Sequence, residues 1–139
     1  MKIYVSSSWK ISSTALDFAN MLRRWGHEVY CYAEHKECNY VWQDVTTEDD
    51  DGITCLDNDK SRKAYALDKD GMDWAECCIM INPSGRDAHL EAGYIKGQGK
   101  PLYIIGNFPK GEFSNMYHLA DELIRCEQHG LNWLRELLQ

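Results

Sequence analysis

The stretch that most constrains the fold of this chain is a short apolar run that leads through a turn into a helical pattern. Residues 77–81 read Cys-Cys-Ile-Met-Ile, an uninterrupted hydrophobic run of a length typical of a strand buried on both faces. Pro83 and Gly85 end this run, and the apolar residues within 88–95 then follow helical spacing up to Gly97. A buried strand followed by a helix is the unit from which parallel sheets are built.

Strand and helix patterns alternate along the rest of the chain. Strands are expected at residues 2–6, 28–32, 76–82 and 101–106, and helices at residues 60–68 and 87–97. Such alternation is the signature of a parallel sheet with crossover helices. It predicts the α/β class, with a three-layer, flavodoxin- or Rossmann-like parallel five-stranded sheet and helices on both faces. A chain of 139 residues has the size of one domain, so residues 1–139 are expected to form a single unit.

Three segments complete this prediction. Ser12 or Ser13 is expected to cap a helix that ends at Gly26. Residues 122–126 fit a fifth strand at the sheet edge before a final helix, although residues 116–125 also fit a helical pattern. Periodicity fails between residues 34 and 59, which predicts a long loop with a short helix around residues 40–45.

Composition narrows the class of partner. The net charge is −7 and the basic residues are scattered, which argues against a nucleic-acid backbone and favours a small molecule. No apolar run reaches the length of a membrane span, and the N-terminus enters a strand without a signal-peptide pattern. A cytoplasmic location is therefore expected.

The sequence gives little support for a metal site. The six cysteines include no Cys-x-x-Cys pair, so neither zinc nor any other cofactor is predicted, and Cys77 and Cys78 are explained by core packing. The acidic cluster at residues 48–51 lacks the alternating ligand spacing of a calcium loop. A solvated acidic loop is the better interpretation of that cluster.

The turn and helix after the apolar run predict a ligand site. In an open α/β sheet, ligands bind in the crevice beyond the carboxyl ends of the strands. Backbone N–H groups around Gly85, Arg86 and Asp87 would face that crevice at the positive end of the helix dipole, which suits a phosphate or a sugar hydroxyl. Glu91 follows one helical turn later, where it would lie just inside the crevice.

Several short motifs together resemble one known family. They are Ile-Tyr-Val-Ser at residues 3–6, Asp68, Ser-Gly-Arg at residues 84–86, Glu-Ala-Gly-Tyr at residues 91–94, and Gly-Lys-Pro at residues 99–101. The combination resembles the nucleoside 2-deoxyribosyltransferase family, whose neighbours include the 2'-deoxynucleoside 5'-monophosphate N-glycosidases. The resemblance covers most of the chain and is strongest over residues 68–106.

The resemblance implies a role for each matching residue. Glu91 would be the nucleophile that attacks the anomeric carbon and forms a glycosyl-enzyme ester. Asp68 would contact and protonate the leaving base, with Asp70 and Asp73 as nearby alternatives, and Tyr4 would orient the nucleophile. Three further residues at the end of the first strand would line the base or sugar pocket: Ser6, Ser8 and Trp9.

One departure from the family pattern bears on the substrate. Six residues before the nucleophile, where transferases have an aspartate that holds the 5'-hydroxyl, this chain has Gly85, flanked by Ser84 and Arg86. A carboxylate would repel a phosphate, whereas a hydroxyl, backbone donors and a guanidinium would attract one. The departure favours a nucleoside 5'-monophosphate over a free nucleoside, although Asp87 could still bind a hydroxyl.

The resemblance also implies an assembly. Members of the family form dimers or higher oligomers whose active sites borrow residues from the adjacent subunit. The matching segment here is residues 113–117, in which Asn115 and Tyr117 would reach the substrate of a neighbouring subunit. A homodimer or higher homo-oligomer with shared sites is therefore expected.

Other interpretations stay open from the sequence. Glu91 could be an ordinary exposed helix residue, Asp87 a carboxylate placed only by the helix dipole, and His89 a surface histidine. Two other functions compete with N-glycosidic cleavage or transfer: an NAD-cleaving enzyme of the TIR type and a non-catalytic nucleotide-binding module. The base preference is also open, because it depends on side chains of the long middle loop, including Trp42, Gln43 and Asp44. The choice between transfer and hydrolysis is open because it depends on whether a second base can outcompete water in the pocket.

Overall fold

The computed structural model describes residues 1–40, 53 and 56–139. Strands and helices alternate through this part of the chain, as the sequence predicts. The strands are β1 (Lys2–Ser6), β2 (Glu28–Cys31), β3 (Cys77–Asn82), β4 (Leu102–Gly106) and β5 (Glu122–Arg125). The helices are α1 (Ser12–Arg24), α2 (Asp59–Trp74), α3 (Arg86–Gly97) and α4 (Gln128–Leu137). Short 3-10 turns lie at Trp9–Ile11, Tyr32–Glu34, Lys36–Cys38 and Asn115–Leu119.

The strands of the described residues form one five-stranded sheet in the order β2-β1-β3-β4-β5, and every neighbouring pair is parallel. This is the flavodoxin-like strand order, in which the direction of chain progression reverses between β1 and β3. The predicted fold class is confirmed. The reversal also fixes where a ligand crevice opens, because loops that leave β1 and β3 move to opposite sides.

Helices cover both faces of the sheet and divide the core into two clusters. On one face, α1 and α4 pack through Phe18, Leu22 and Leu134 against alternate residues of the strands. On the other face, α2 and α3 pack through Met72, Ala92 and other small apolar residues. All six residues of β3 are buried, which agrees with an uninterrupted apolar run in the centre of a parallel sheet.

Two details of the sequence prediction are corrected. Neither Ser12 nor Ser13 caps α1: Ile11 occupies the N-cap position without a side-chain hydrogen bond, because the preceding 3-10 turn runs directly into the helix. Helix α2 extends to Trp74 instead of ending near Asp68, so Asp68 lies in the helix interior. Burial of Gly71 and Met72 against the sheet stabilises this extra length despite the poor helix propensity of glycine.

The ambiguous C-terminal segment is a strand. Residues 122–125 pair in parallel with β4 at the sheet edge, and Ile124 is buried in the core. The helical pattern of residues 116–125 fails because residues 115–119 form a 3-10 turn instead. Tertiary pairing therefore overrides a local pattern that fitted both structures.

Some sequence predictions lie outside the described residues, namely the short helix around residues 40–45, the acidic cluster at residues 48–51, and the side chains of Trp42, Gln43 and Asp44. None of the described helices is long and apolar enough to span a membrane.

Candidate active site

The carboxyl ends of β1 and β3, where the sequence predicts a crevice, lie side by side in the sheet. Ser6 is the last residue of β1 and is paired with Met80, two residues before the end of β3. Helices α2 and α3 cover the same face of the sheet here, and they carry Asp68 and Glu91 respectively. Because the two helices pack against each other, these two carboxyl groups approach across the crevice closely enough that the charge of Asp68 acts on Glu91.

Glu91 is the most perturbed carboxyl group of the site. Burial raises its pKa from the ordinary value of 4.5 to about 8, the hydrogen bond from Ser6 opposes this shift, and the negative charge of Asp68 adds to it. The Ser6 hydroxyl lies 2.8 Å from Glu91 Oε2. A carboxyl group whose pKa lies near neutrality, in a crevice at a strand switch point, is a candidate for catalysis.

The Ser6 hydroxyl suits both protonation states of Glu91. It carries one proton but lies within hydrogen-bond distance of two acceptors, the Ala88 carbonyl oxygen at 3.1 Å and Glu91 Oε2 at 2.8 Å. When Glu91 is ionised, Ser6 donates to the carboxylate. When Glu91 is protonated, its O–H donates to Ser6 Oγ while Ser6 donates to Ala88. Glu91 can therefore gain or lose a proton while this buried serine stays satisfied.

Tyr4 lies beside Glu91 beneath the crevice. Its side chain is fully buried in β1, yet its hydroxyl has no hydrogen-bond partner of acceptable geometry among the described residues. Burial raises its pKa far above the ordinary value, and the nearby charges of Glu91 and Asp68 raise it further. A hydrogen bond of poorer geometry between the Tyr4 hydroxyl and Glu91 lowers the pKa of Glu91 against the effect of burial.

Asp68 is held by donors from the other side of the crevice. The Tyr30 hydroxyl donates to Asp68 Oδ1 over 2.8 Å, and the Cys38 thiol lies 3.7 Å from the same oxygen. Burial raises the pKa of Asp68, and these two hydrogen bonds oppose the shift. Of the alternatives, Asp70 is exposed and Asp73 bonds Lys69, Tyr94 and Gln98 away from the crevice.

The turn before α3 contains the predicted phosphate-binding residues. The Ser84 hydroxyl is engaged within the chain, because it donates to the Ile81 carbonyl and accepts from the Ser8 N–H at 3.0 Å. Gly85, Arg86 and Asp87 are exposed, and Arg86 forms no hydrogen bond or ion pair among the described residues. The charge of the exposed Asp87 raises the pKa of both Glu91 and Asp68.

The loop after β1 forms another wall. The Tyr32 hydroxyl donates to the Ser8 carbonyl at 2.8 Å and bonds the Ser7 hydroxyl at 2.7 Å. Trp9 packs edge-on against the Tyr32 ring at 4.7 Å between centroids while keeping an exposed surface. The loop that presents Ser8 and Trp9 is thus fixed by a tyrosine from the end of β2.

The two residues expected to reach a neighbouring subunit differ from each other in burial and in hydrogen bonding. Tyr117 is buried, and its hydroxyl donates to Asn82 Oδ1 at 3.1 Å and lies 3.0 Å from His89 Nε2. Asn115 is exposed at the start of a 3-10 turn. In this chain Tyr117 therefore has partners of its own, and a role of either residue at a neighbour's substrate stays a prediction.

Sequence reasoning missed the residues that surround Asp68. Tyr30 pairs in register with Tyr4, so the two rings lie stacked on one face of the sheet, 5.1 Å apart. His35 stacks on the other side of Tyr30 at 4.8 Å, and Cys38 follows in a segment without periodicity. The strand register alone reveals the tyrosine pair, and no local sequence signal marks His35 or Cys38.

Comparison with solved structures supports the fold. The chain superimposes on the CMP N-glycosidase BcmB of Clostridium botulinum with a TM-score of 0.59 and 13% sequence identity, covering 100% of both chains. It superimposes on a 2-deoxyribosyltransferase of Bacillus psychrosaccharolyticus with a TM-score of 0.61 and 23% identity, covering 97% of this chain and 90% of the other. The protein therefore has the 2-deoxyribosyltransferase-like fold.

Comparison with known sequences does not assign the chain to a family. No model of a known protein family matches the chain. The curated ribosomal RNA small subunit methyltransferase Nep1 of Methanothrix thermoacetophila is 38% identical over 58 residues, which are 41% of this chain. The match spans only 25% of that methyltransferase. A similarity this partial establishes neither a family nor an activity.

Proposed function

We propose that the protein cleaves or transfers the N-glycosidic bond of a 2'-deoxynucleoside or its 5'-monophosphate, with Glu91 as nucleophile. The observation that carries this proposal is the approach of Glu91 and Asp68, two partly buried carboxyl groups with raised pKa values, at the β1/β3 switch point. Paired carboxyl groups with different surroundings are the usual equipment for glycosidic chemistry. The fold, shared with a CMP N-glycosidase and a 2-deoxyribosyltransferase, is consistent with it.

In the proposed reaction, the Glu91 carboxylate attacks the anomeric carbon of the sugar. The bond from that carbon to the base breaks, its electron pair passes to the base nitrogen, and Asp68 gives the base a proton. The products of this step are a glycosyl ester on Glu91 and the free base. Water, or a second base, then attacks the anomeric carbon and releases Glu91, while Asp68 accepts the proton of the incoming group.

The reactive form of the pair holds one proton. Glu91 must be ionised to attack and Asp68 must be protonated to assist the leaving base. Burial raises both pKa values, and the negative charge of Asp68 raises the pKa of Glu91 further. Tyr4 supports the ionised state of Glu91, because a hydrogen bond from its hydroxyl lowers the pKa of that carboxyl group.

A 5'-monophosphate is the preferred substrate in this proposal. The exposed Arg86 guanidinium and the backbone N–H groups at the start of α3 together suit a phosphate at the mouth of the crevice. Asp87, beside them, suits a sugar hydroxyl. Ser6, Ser8 and Trp9 would line the sugar and base.

Self-association is also proposed, with a second copy of the chain as partner. Large apolar side chains are exposed next to the buried Tyr117, Phe113 by 58% and Met116 by 64%, and on α3, where Leu90 is exposed by 73%. Phe113 packs edge-on against Tyr117, and Leu90 follows His89, which stacks on the same ring. Exposed apolar groups that cluster in this way mark interaction surfaces more often than free surfaces. A cytoplasmic location remains a prediction.

The test is an assay of base release by chromatography. The substrates are deoxynucleosides, deoxynucleoside 5'-monophosphates and NAD, and the proteins are the wild type, Glu91→Ala and Glu136→Ala. Glu136 is an exposed glutamate on α4, so its replacement is a matched control. Base release that is lost only in Glu91→Ala is the expected result.

The other outcomes separate the alternatives. Release of nicotinamide alone would move the protein to the NAD-cleaving class. Binding of nucleotides without release of any base would make it a nucleotide-binding module. Adding a second base during the assay distinguishes transfer from hydrolysis, because only a transferase forms a new nucleoside.

A further inference from the structure

We propose that Tyr30 and Cys38 are positioning residues that hold Asp68 with its Oδ1 atom as an acceptor, so that the transferable proton lies on Oδ2. This inference rests on the proposed function, in which Asp68 protonates the leaving base. Neither residue belongs to the motifs that carry the family resemblance. The assignment comes from the hydrogen bonds that converge on one carboxyl oxygen.

Two donors from different elements meet at Asp68 Oδ1. The Tyr30 hydroxyl, from β2, donates over 2.8 Å, and the Cys38 thiol, from the 3-10 turn that follows, lies at 3.7 Å. The thiol also lies 4.0 Å from the Ala64 carbonyl oxygen, so its single proton is shared between two acceptors. Tyr30 is therefore the principal donor. No hydrogen bond to Oδ2 is formed by the described part of the chain.

This convergence determines where a proton on Asp68 lies. A protonated carboxyl group has one O–H oxygen, which donates, and one carbonyl oxygen, which accepts. Oδ1 already accepts from Tyr30, so it takes the carbonyl role and the proton is placed on Oδ2. Burial raises the pKa of Asp68, which favours the protonated form to which this argument applies. The proton is then on the oxygen that accepts no hydrogen bond from the described residues.

The tyrosine is itself held firmly in place. Its ring lies between those of Tyr4, 5.1 Å away, and His35, 4.8 Å away, and both neighbours are nearly parallel to it, at 13° and 17°. On α2, a Cβ atom added to Gly71 would lie 2.8 Å from the Tyr30 ring. Tyr30 thus packs directly on the helix backbone three residues after Asp68, which fixes the hydroxyl relative to the carboxyl group.

The hydrogen bond has two consequences for an acid catalyst. It fixes which oxygen donates, and it stabilises the carboxylate that remains after the proton has left, so it lowers the pKa of Asp68 against the effect of burial. Without Tyr30, the proton would be distributed over both oxygens and held more tightly. The step most affected is protonation of the leaving base, with no direct contact between Tyr30 and the substrate required.

The test compares Tyr30→Phe, Cys38→Ala and the wild type on two kinds of substrate. One is the deoxynucleotide for which the wild type releases the base. The other carries the same sugar linked to 4-nitrophenol, whose anion is a good enough leaving group to depart without being protonated. The matched control is Tyr103→Phe, which removes the hydroxyl of a largely buried tyrosine that packs in the core on the opposite face of the sheet. Asp68→Asn serves as the reference for complete loss of the acid.

The expected result for Tyr30→Phe is a roughly tenfold or greater fall in kcat on the natural substrate, because general acid catalysis typically contributes 10²–10⁴-fold. Its alkaline limb in the pH profile of kcat/KM is expected to move upward by about one pH unit, since a donor to the carboxylate has been lost. With the activated substrate the rate should stay within about twofold of wild type. Cys38→Ala should show a smaller change of the same kind.

Equal losses on both substrates, with an unmoved pH profile, would show that Tyr30 acts only on folding and would overturn the inference. So would a loss in Tyr103→Phe that matches that of Tyr30→Phe. Failure of the proposed function is recognised separately, because the wild type would then release no base from any substrate. If Asp68→Asn is as active as wild type while Glu91→Ala is inactive, the acid assignment fails but the nucleophile stands.

Discussion

At the residue scale, the raised pKa of Glu91 makes the free energy of unfolding depend on pH. Burial keeps its carboxyl group protonated at a pH where the unfolded chain would be ionised. The unfolded chain releases this proton near pH 4.5 and the folded chain near pH 8, so folding becomes less favourable as the pH rises between these values. Above pH 4.5, a buried carboxyl group at this position is therefore expected to lower the free energy of unfolding, and a neutral side chain there would raise it.

Replacing Glu91 by Gln should raise stability while abolishing base release. The two proteins should unfold with similar free energies at pH 5, whereas at pH 9 the variant should be more stable by about 2–4 kcal/mol, since each unit of pKa shift corresponds to about 1.4 kcal/mol. Urea unfolding at both pH values measures the difference. The control, Glu136→Gln on the exposed face of α4, should show no pH-dependent gain. The absence of a gain at pH 9 would mean that folding does not raise the pKa of Glu91.

Arg86 decides the substrate preference in the proposed function. Arg86→Ala should raise KM for deoxynucleoside monophosphates about tenfold or more, because a charge-assisted hydrogen bond to phosphate contributes roughly 1.5–3 kcal/mol. Its KM for free deoxynucleosides should change little. Arg24→Ala, on the exposed surface of α1, provides the control for a loss of positive charge. Equal effects of Arg86→Ala on both substrate classes would contradict the phosphate assignment.

At the scale of elements, α2 and α3 each contain a glycine, and the two glycines differ in how closely other atoms pack against them. Gly71 of α2 is buried under the Tyr30 ring, where an added Cβ would lie 2.8 Å from ring atoms. Gly93 of α3 has no described atom within 4 Å of the position of such a Cβ. Both glycines interrupt good helical sequence, but the structure gives a reason for only one of them.

Alanine at these two positions should therefore have opposite effects. Gly93→Ala should stabilise the protein by up to about 1 kcal/mol, because alanine is the better helix former and meets open space. Gly71→Ala should destabilise it by roughly 1–3 kcal/mol, since the tyrosine ring must move. Chemical unfolding measures both changes. If the positioning role of Tyr30 is correct, Gly71→Ala should also shift the alkaline limb of the pH profile as Tyr30→Phe does.

At the scale of the whole molecule, the sheet acts as a frame that brings distant segments together. Residues 4, 30, 68 and 91 come from four different elements, and they meet because β1 lies between β2 and β3. Phe113 and Met116, which precede the buried Tyr117 in the chain, remain exposed on this fold. In the proposed assembly, this surface would contact a second copy of the chain.

Self-association is testable by sedimentation velocity over a range of concentrations. The wild type should sediment as a dimer or larger species, and Leu90→Lys combined with Met116→Lys should sediment as a monomer, because charges would replace apolar contacts. Trp133→Lys, on α4 in the opposite layer, tests whether any exposed apolar residue has the same effect. A wild type that is monomeric at every concentration would contradict the proposed assembly.

The sequence by itself determined the fold class and the central strand of the sheet, after which it predicts a ligand site. An uninterrupted apolar run specifies a strand buried on both faces, and the turn and helix that follow place Glu91 one turn inside the crevice. These features depend on residues close together in the chain, where steric preference and hydrophobic periodicity act directly. The family resemblance predicts roles for Asp68 and Tyr4, and in the structure both lie close enough to Glu91 to shift its pKa.

Tertiary structure alone decided the surroundings of those residues. The extension of α2 past Asp68, the strand at residues 122–125, and the stack of Tyr4, Tyr30 and His35 all depend on sheet register and on burial between distant segments. The raised pKa of Glu91 likewise results from burial, which no local pattern encodes. Desolvation and cross-strand packing come from residues that are distant in sequence and meet only when the chain folds, so no local pattern can predict them.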